Sequence, residues 1–287
     1  MQIAVNGTRL WFDVEGAAVV VAGSELRRRP TIVLVHGGPG VYDHGYLKPD
    51  FGRLAQHAQL VYLDLRGHGH SEWGSAADWS FETCADDIRA FCDAVGIERP
   101  VVLGHSMGAP IVLLYGARHP GHAAGLVVQS GFARWDPARL AEAYARIAGA
   151  EVADMARRAY AGEQVAEEDS ARVSAAFGPH RPDQEREAQT PKNLELNAHG
   201  MDLVRGLDIV DQLQNIDAPT LVSVGDADPV TPVAASEEIV RALPEGIGEL
   251  DIVAGAGHFT WMDAPERYWP ALLEFVERVA ARERTRA

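Results

Sequence analysis

The sequence predicts an α/β fold: a mostly parallel sheet of about eight strands, flanked by helices, with a helical segment inserted before the last strands. Three observations carry this. Short apolar, β-branched runs at Thr31 to Val35, Leu60 to Leu65 and Val101 to Leu103 each lead into a glycine-rich loop, which is how buried strands of a parallel sheet read. Helix-periodic stretches lie between such runs, and alternation of strand and helix implies crossover connections and a sheet covered on both faces. The stretch 134–213 is helical and charged with no strong strand signal, and a compact domain does not leave that length as bare loop.

The individual elements follow in chain order. Residues alternate on both sides of Asn6-Gly7, a two-residue hairpin signal, so the chain opens on an antiparallel hairpin. A Gly- and Arg-containing link precedes the strand at Thr31. Phe81 to Val95 reads as a helix stopped by Gly96, with glycine suited to the left-handed residue that ends a helix. Further strands are expected at Gly125 to Val128, Pro219 to Val224 and Glu249 to Val253, and a closing helix near Arg267 to Arg284. The domain division expected is a core of 1–133 and 214–287 with a helical lid of 134–213, broken by links at Pro179, Pro182 and Pro191.

Composition limits the function. The chain has 287 residues, of which 47% are hydrophobic and 23% charged, a balance that suits one large core with an insertion. A net charge of −15 repels phosphate backbones and anionic lipid surfaces, which argues against nucleic acid and membrane as partners. The first residues lack a basic and apolar leader pattern, and the apolar run Ile111 to Tyr115 is too short for a span; a cytoplasmic protein is the expectation. Cys84 and Cys92 are separated by eight residues of one predicted helix, roughly 12 Å of rise, so they cannot bridge each other and read as buried free thiols. No feature specifies an oligomeric state.

The chemistry concentrates in four loops. GHSMG at Gly104 to Gly108 matches the G-x-S-x-G elbow and stands where that motif works, between a strand and a helix. A serine on so sharp a turn needs small neighbours two residues away on each side, and its place at a helix N-terminus favours developing negative charge. Ser106 is therefore the candidate nucleophile. A serine hydroxyl needs a base, and in this motif's context acid and histidine follow the serine in that order. Asp228, in GDADPVTP after a strand, is the candidate acid with Asp226 as its competitor, and His258, in GAGHF after the last strand, is the candidate base. The loop HGGPG, His36 to Gly40, precedes the elbow as an oxyanion loop does, which nominates the backbone N–H groups of Gly38 and Met107 as donors; the alternative is a plain turn. His36 reads as a brace of that loop. Tyr42, His44, Tyr46, Trp135 and Trp261 are candidates for the substrate pocket, each with packing as the alternative. The reaction needs neither a metal nor an organic cofactor, and the expected partner is a small-molecule or short-peptide substrate.

Together, these segments resemble the α/β-hydrolase superfamily over almost the whole chain. HGGPG followed by DLRGHGHS, Asp64 to Ser71, is similar to its proline iminopeptidase branch. The resemblance implies an α/β-hydrolase fold, a lid over the site and structural roles for Asp64 and Arg66. That branch carries tryptophan after the nucleophile and glutamine before the arginine, whereas Met107 and Leu65 stand here. GHSMG is similar also to elbows of carboxylesterases, lactonases, cofactor-free haloperoxidases and carbon-carbon bond hydrolases. The reading is thus a serine hydrolase of a small ester, lactone or amide. Carbon-carbon bond hydrolysis or perhydrolysis with the same triad, and a non-catalytic binding protein, are its alternatives. An iminopeptidase would need acidic lid residues facing the site, for which Glu142, Glu163 and Glu195 are available.

Overall fold

The computed structural model describes residues 1–183, 185 and 189–286. Strands β1 (Gln2–Val5) and β2 (Thr8–Glu15) form the expected hairpin, with Asn6 and Gly7 at φ 46° and 75°; two positive φ values make the turn whose twist suits the flanking strands. The segment read as a link contains a second hairpin, β3 (Val19–Ala22) with β4 (Glu25–Arg28). Val21 and Leu26 are cross-strand partners and both are exposed, so no buried-exposed alternation marks this pair in the sequence.

Six strands then build the sheet: β5 (Thr31–Val35), β6 (Gln59–Leu63), β7 (Val101–His105), β8 (Gly125–Gln129), β9 (Thr220–Gly225) and β10 (Gly248–Val253). The eight-stranded order is β1-β2-β6-β5-β7-β8-β9-β10, antiparallel at β1-β2 and β2-β6 and parallel elsewhere. The expected mostly parallel sheet of eight strands is therefore the observed one. Alternate residues supply its two cores. Val33 and Val35 join one apolar cluster and Ile32 and Leu34 the other, as a period of two requires of a strand buried on both faces.

Helices α1 (Phe81–Val95) and α2 (Gly108–Arg118) cover the first face. Gly96 ends α1 at φ 74°, as the sequence predicts, and Ser80 caps its start by accepting from the Thr83 N–H at 3.0 Å. Cys84 and Cys92 are free and buried on α1, and burial pushes the Cys92 thiol up to about 12. Between β8 and β9 come α3 (Pro137–Ala148), α4 (Ala150–Tyr160), α5 (Glu167–Ala175) and α6 (Leu194–Arg205). Leu140, Tyr144, Val152, Ala156 and Val173 give this segment an apolar cluster of its own. Helix α7 (Val233–Ala242) was not anticipated. Its buried face includes Ser236 and Glu238, which interrupt the apolar stripe that would have signalled it. Helix α8 (Pro265–Arg286) closes the chain against the second face through Tyr268, Leu272, Phe275 and Val279. Among the described residues no helix is long and apolar enough to cross a membrane.

Candidate active site

The chain leaves β5 for β6 on one side and later returns through β7 on the other. That reversal opens a crevice at the strands' C-terminal ends, where ligands of α/β sheets bind. Val35 pairs with Gly104, so the loops after β5 and β7 emerge side by side. A Cβ on Gly37 would lie 2.9 Å from the Ser106 Cβ.

Ser106 has φ 55°, a left-handed conformation that costs a non-glycine residue roughly 1–3 kcal/mol and persists only when its surroundings hold it. The two glycines of the motif make that turn possible. A Cβ on Gly104 would overlap the Gly108 carbonyl, and one on Gly108 would lie 2.6 Å from the carbonyl oxygens of His36 and Val35. The elbow is thus packed directly against the loop after β5. Gly108→Ala is expected to destabilise the fold by about 1–3 kcal/mol through overpacking, read as a lowered urea midpoint; an unchanged midpoint would show that the elbow can yield there.

The loops after β9 and β10 bring Asp228 and His258 together. His258 Nδ1 lies 2.8 Å from Asp228 Oδ2, and both side chains are almost wholly buried. The carboxylate also accepts from the N–H groups of Val230 and Thr231 at 2.8 and 3.0 Å and from the Thr231 hydroxyl at 2.7 Å. Asp226, the competitor, instead accepts from the Gly255 N–H at 2.8 Å. Ser106 and His258 line one cavity, although no hydrogen bond joins the Ser106 hydroxyl to the ring in this structure. Such bonds often close only around bound substrate.

The loop after β5 is held by buried donors and acceptors. His36 Nε2 accepts from the Leu65 N–H at 3.2 Å, so its Nδ1 carries the proton and donates to the Gly37 carbonyl at 2.9 Å. Burial holds the His36 ring below the usual histidine range, in keeping with that neutral tautomer. The next peptide is planar and trans, so fixing the Gly37 carbonyl on one side aims the Gly38 N–H to the other. Among the described residues neither the Gly38 nor the Met107 N–H has an acceptor, and both residues line the cavity.

The cavity measures about 270 Å³ and lies between these loops and the segment after β8. Tyr42, Tyr46 and Trp135 line it. His44 and Trp261 do not, and their expected place in the pocket is corrected. His44 turns away to hydrogen-bond Asp64 at 2.7 Å and stacks on Trp11 with ring centroids 4.3 Å apart. Trp261 is buried in the second core with its Nε1 donating to Asp50 at 3.1 Å. The pocket residues missed by sequence reasoning are chiefly Phe132, Tyr160, Phe177, Met201 and Val204. Only their helical or loop phase selects them, and nothing local distinguishes an apolar side chain facing a cavity from one facing a core. None of the acidic lid candidates faces the cavity. Glu142 lines a separate surface groove with Arg139 and Arg146, Glu163 pairs with Arg158, and Glu195 is exposed. Among the described lining residues there is no Asp, Glu, Lys or Arg.

Asp43, His44 and Asp64 form a buried cluster whose ligand-type atoms lie within 4.8 Å of one another. Protein groups already engage it: Asp43 accepts from Gly45 N–H, and Asp64 from the His44 ring and from the N–H groups of His44 and His70. Burial pushes the Asp64 carboxyl up, but these donors outweigh it and hold it below its ordinary 3.8. A folded value below the unfolded one means the stabilisation is complete above about pH 4 and is lost as the pH falls through the folded value. Asp64→Asn is expected to cost about 2–4 kcal/mol at neutral pH and to flatten the acid limb of the urea midpoint below about pH 4; an unaltered limb would remove Asp64 from that role.

Comparison with known proteins agrees with this architecture. The putative carbamate hydrolase RutD of Caulobacter sp. (strain K31) is 28% identical over 277 residues, covering 93% of this chain and 98% of that protein. The pimeloyl-[acyl-carrier protein] methyl ester esterase of Neisseria meningitidis serogroup C is 27% identical over 256 residues, covering 86% and 94%. Among solved structures, the proline iminopeptidase of Mycobacterium smegmatis superposes with a TM-score of 0.77 at 21% identity, over 99% of each chain. The sequence profile described as alpha/beta hydrolase fold matches residues 30–265, and with the sheet order, the elbow and the loops at its crest already in view, the chain belongs to the α/β-hydrolase family.

Proposed function

We propose that the protein is a serine hydrolase that cleaves esters of neutral, apolar acyl groups through an acyl-enzyme. The observation that carries this reading is the 2.8 Å contact of Asp228 Oδ2 with His258 Nδ1 beside a serine held on a left-handed elbow. In this reading Ser106 attacks the carbonyl carbon while His258 Nε2 takes its proton. The negative oxygen is met by the Gly38 and Met107 N–H groups, and the imidazolium returns the proton to the departing alcohol oxygen. Water, deprotonated by His258, then attacks the acyl carbon and releases the acid and Ser106. The segment 134–213 acts as the lid, since Trp135, Tyr160, Phe177 and Met201 from it wall the cavity.

The described lining residues support a substrate class. An ammonium buried against rings and aliphatic side chains without a carboxylate costs about 3 kcal/mol or more, which is roughly 100-fold in rate. An N-terminal proline substrate therefore fits poorly, and a neutral acyl group fits. The relatives named as a putative carbamate hydrolase and a methyl ester esterase add carbamates and methyl esters to the substrates worth assaying. A fluorophosphonate probe is expected to label wild-type protein at Ser106, and kcat/KM for p-nitrophenyl butyrate to exceed that for proline p-nitroanilide by at least about 100-fold. Absence of labelling would overturn the serine mechanism, and preference for the proline anilide would overturn the substrate class.

A further inference from the structure

Tyr46 lines the cavity, yet its hydroxyl is committed elsewhere. Its oxygen accepts from the Gly37 N–H at 2.8 Å, and it lies 2.8 Å from His105 Nδ1. The other nitrogen of His105 lies 3.1 Å from the main-chain carbonyl of His258. A carbonyl can only accept, so Nε2 carries the ring proton, Nδ1 is the acceptor and Tyr46 donates to it. The order is therefore fixed end to end: Gly37 N–H to Tyr46, Tyr46 to His105, His105 to His258. Tyr46 and His105 are both buried, and burial, then the neighbouring His258, hold His105 well below the usual histidine range. It remains a neutral link whose ring centroid is 4.8 Å from that of His258. The His258 N–H is held on its other side by the Phe177 carbonyl at 2.6 Å.

We propose that Tyr46 and His105 are positioning residues, a buried strut that fixes the oxyanion donor of the Gly37-Gly38 loop relative to the imidazole of His258. The inference rests on the reading of Ser106, Asp228 and His258 given above. Gly38 can serve a developing oxyanion only if the preceding residue is held. Its carbonyl is held by His36 and its N–H by Tyr46. Without the Tyr46 oxygen the buried Gly37 N–H has no acceptor, and the loop turns to find one. That turn re-aims the Gly38 N–H, weakening contacts made in the transition state while leaving the apolar walls that bind the ground state.

Tyr46→Phe keeps the ring and removes both bonds. Per serine titrated with fluorophosphonate, kcat for p-nitrophenyl butyrate is expected to fall about 10- to 100-fold with KM within about threefold. Affinity for phenylboronic acid, which forms a tetrahedral adduct on serine, should fall by the same factor. His105→Gln carries its amide near the Nε2 position, so it keeps the bond to His258 and loses the one to Tyr46. It should lower kcat by less than Tyr46→Phe does, because the Tyr46 oxygen still accepts from the Gly37 N–H, and the double variant should lose no more than Tyr46→Phe alone, because the link that His105→Gln breaks is one of the two that Tyr46→Phe already removes. Counting rates per titrated serine removes any loss of folded protein from the comparison, and His105→Gln decides the matter if Tyr46→Phe does not fold. Unchanged kcat and boronate affinity, a rise in KM alone, or additive losses would each overturn the strut. Failure of the wild-type protein to label at Ser106 would instead overturn the underlying reading.

Discussion

Ser106→Ala is expected to lower kcat for p-nitrophenyl butyrate by roughly four to six orders of magnitude and to abolish fluorophosphonate labelling and any acyl-enzyme burst. The substitution deletes one oxygen and leaves the rest of the site in place: the apolar walls, the His258-Asp228 pair and the N–H groups of Gly38 and Met107, which have no acceptor among the described residues. Substrate binding should therefore persist, with the equilibrium affinity for a non-hydrolysable ether analogue within about threefold of wild type. What disappears is the covalent route. Any remaining turnover would come from orientation and oxyanion stabilisation of direct attack by water, about a thousandfold or more above solution. A variant that keeps even a tenth of the wild-type rate would remove Ser106 from the chemistry.

The elbow was legible in sequence because its constraints are local: Gly104, Ser106 and Gly108 lie within five residues, and the strand before and helix after them have unmistakable patterns. Asp228 was harder to separate from Asp226, since two carboxylates in one loop differ only in direction. The fold separates them by sending one to His258 and the other to Gly255. His44 and Trp261 show the opposite difficulty. Both sit near the right loops in sequence, yet a buried carboxylate at Asp64 and a second core behind the sheet claim their side chains. The β3-β4 hairpin escaped notice because its strands are exposed, and α7 because Ser236 and Glu238 occupy its inner face. Glu238 is buried against Arg134 and Arg139, a tertiary circumstance that a hydrophobic pattern does not encode. The Tyr46-His105 link joins residues 59 positions apart, and no motif spacing announces it.

Asp228→Asn is the sharper test of how the histidine is set. The carboxylate meets four donors: the N–H groups of Val230 and Thr231 on Oδ1, and the Thr231 hydroxyl and His258 Nδ1 on Oδ2. The two main-chain donors cannot reverse, so an asparagine must turn its carbonyl oxygen toward them. Its NH2 then takes the Oδ2 position and faces His258. The Thr231 hydroxyl can rotate to accept, but Nδ1 of the ring must also become an acceptor, which moves the ring proton to Nε2. That is the nitrogen required to take the proton from Ser106. The variant should thus fold with the site intact and yet lose about four orders of magnitude in kcat, with the imidazole ¹⁵N spectrum reporting the proton on Nε2 instead of Nδ1. Asp226→Asn, whose carboxylate serves only the Gly255 N–H among its described side-chain contacts, should stay within about threefold of wild type. If Asp228→Asn stays within tenfold of the wild-type rate, or if the ring keeps its proton on Nδ1, the carboxylate does not select the tautomer, and the orienting role passes from Asp228 to the backbone contacts at Phe177 and His105.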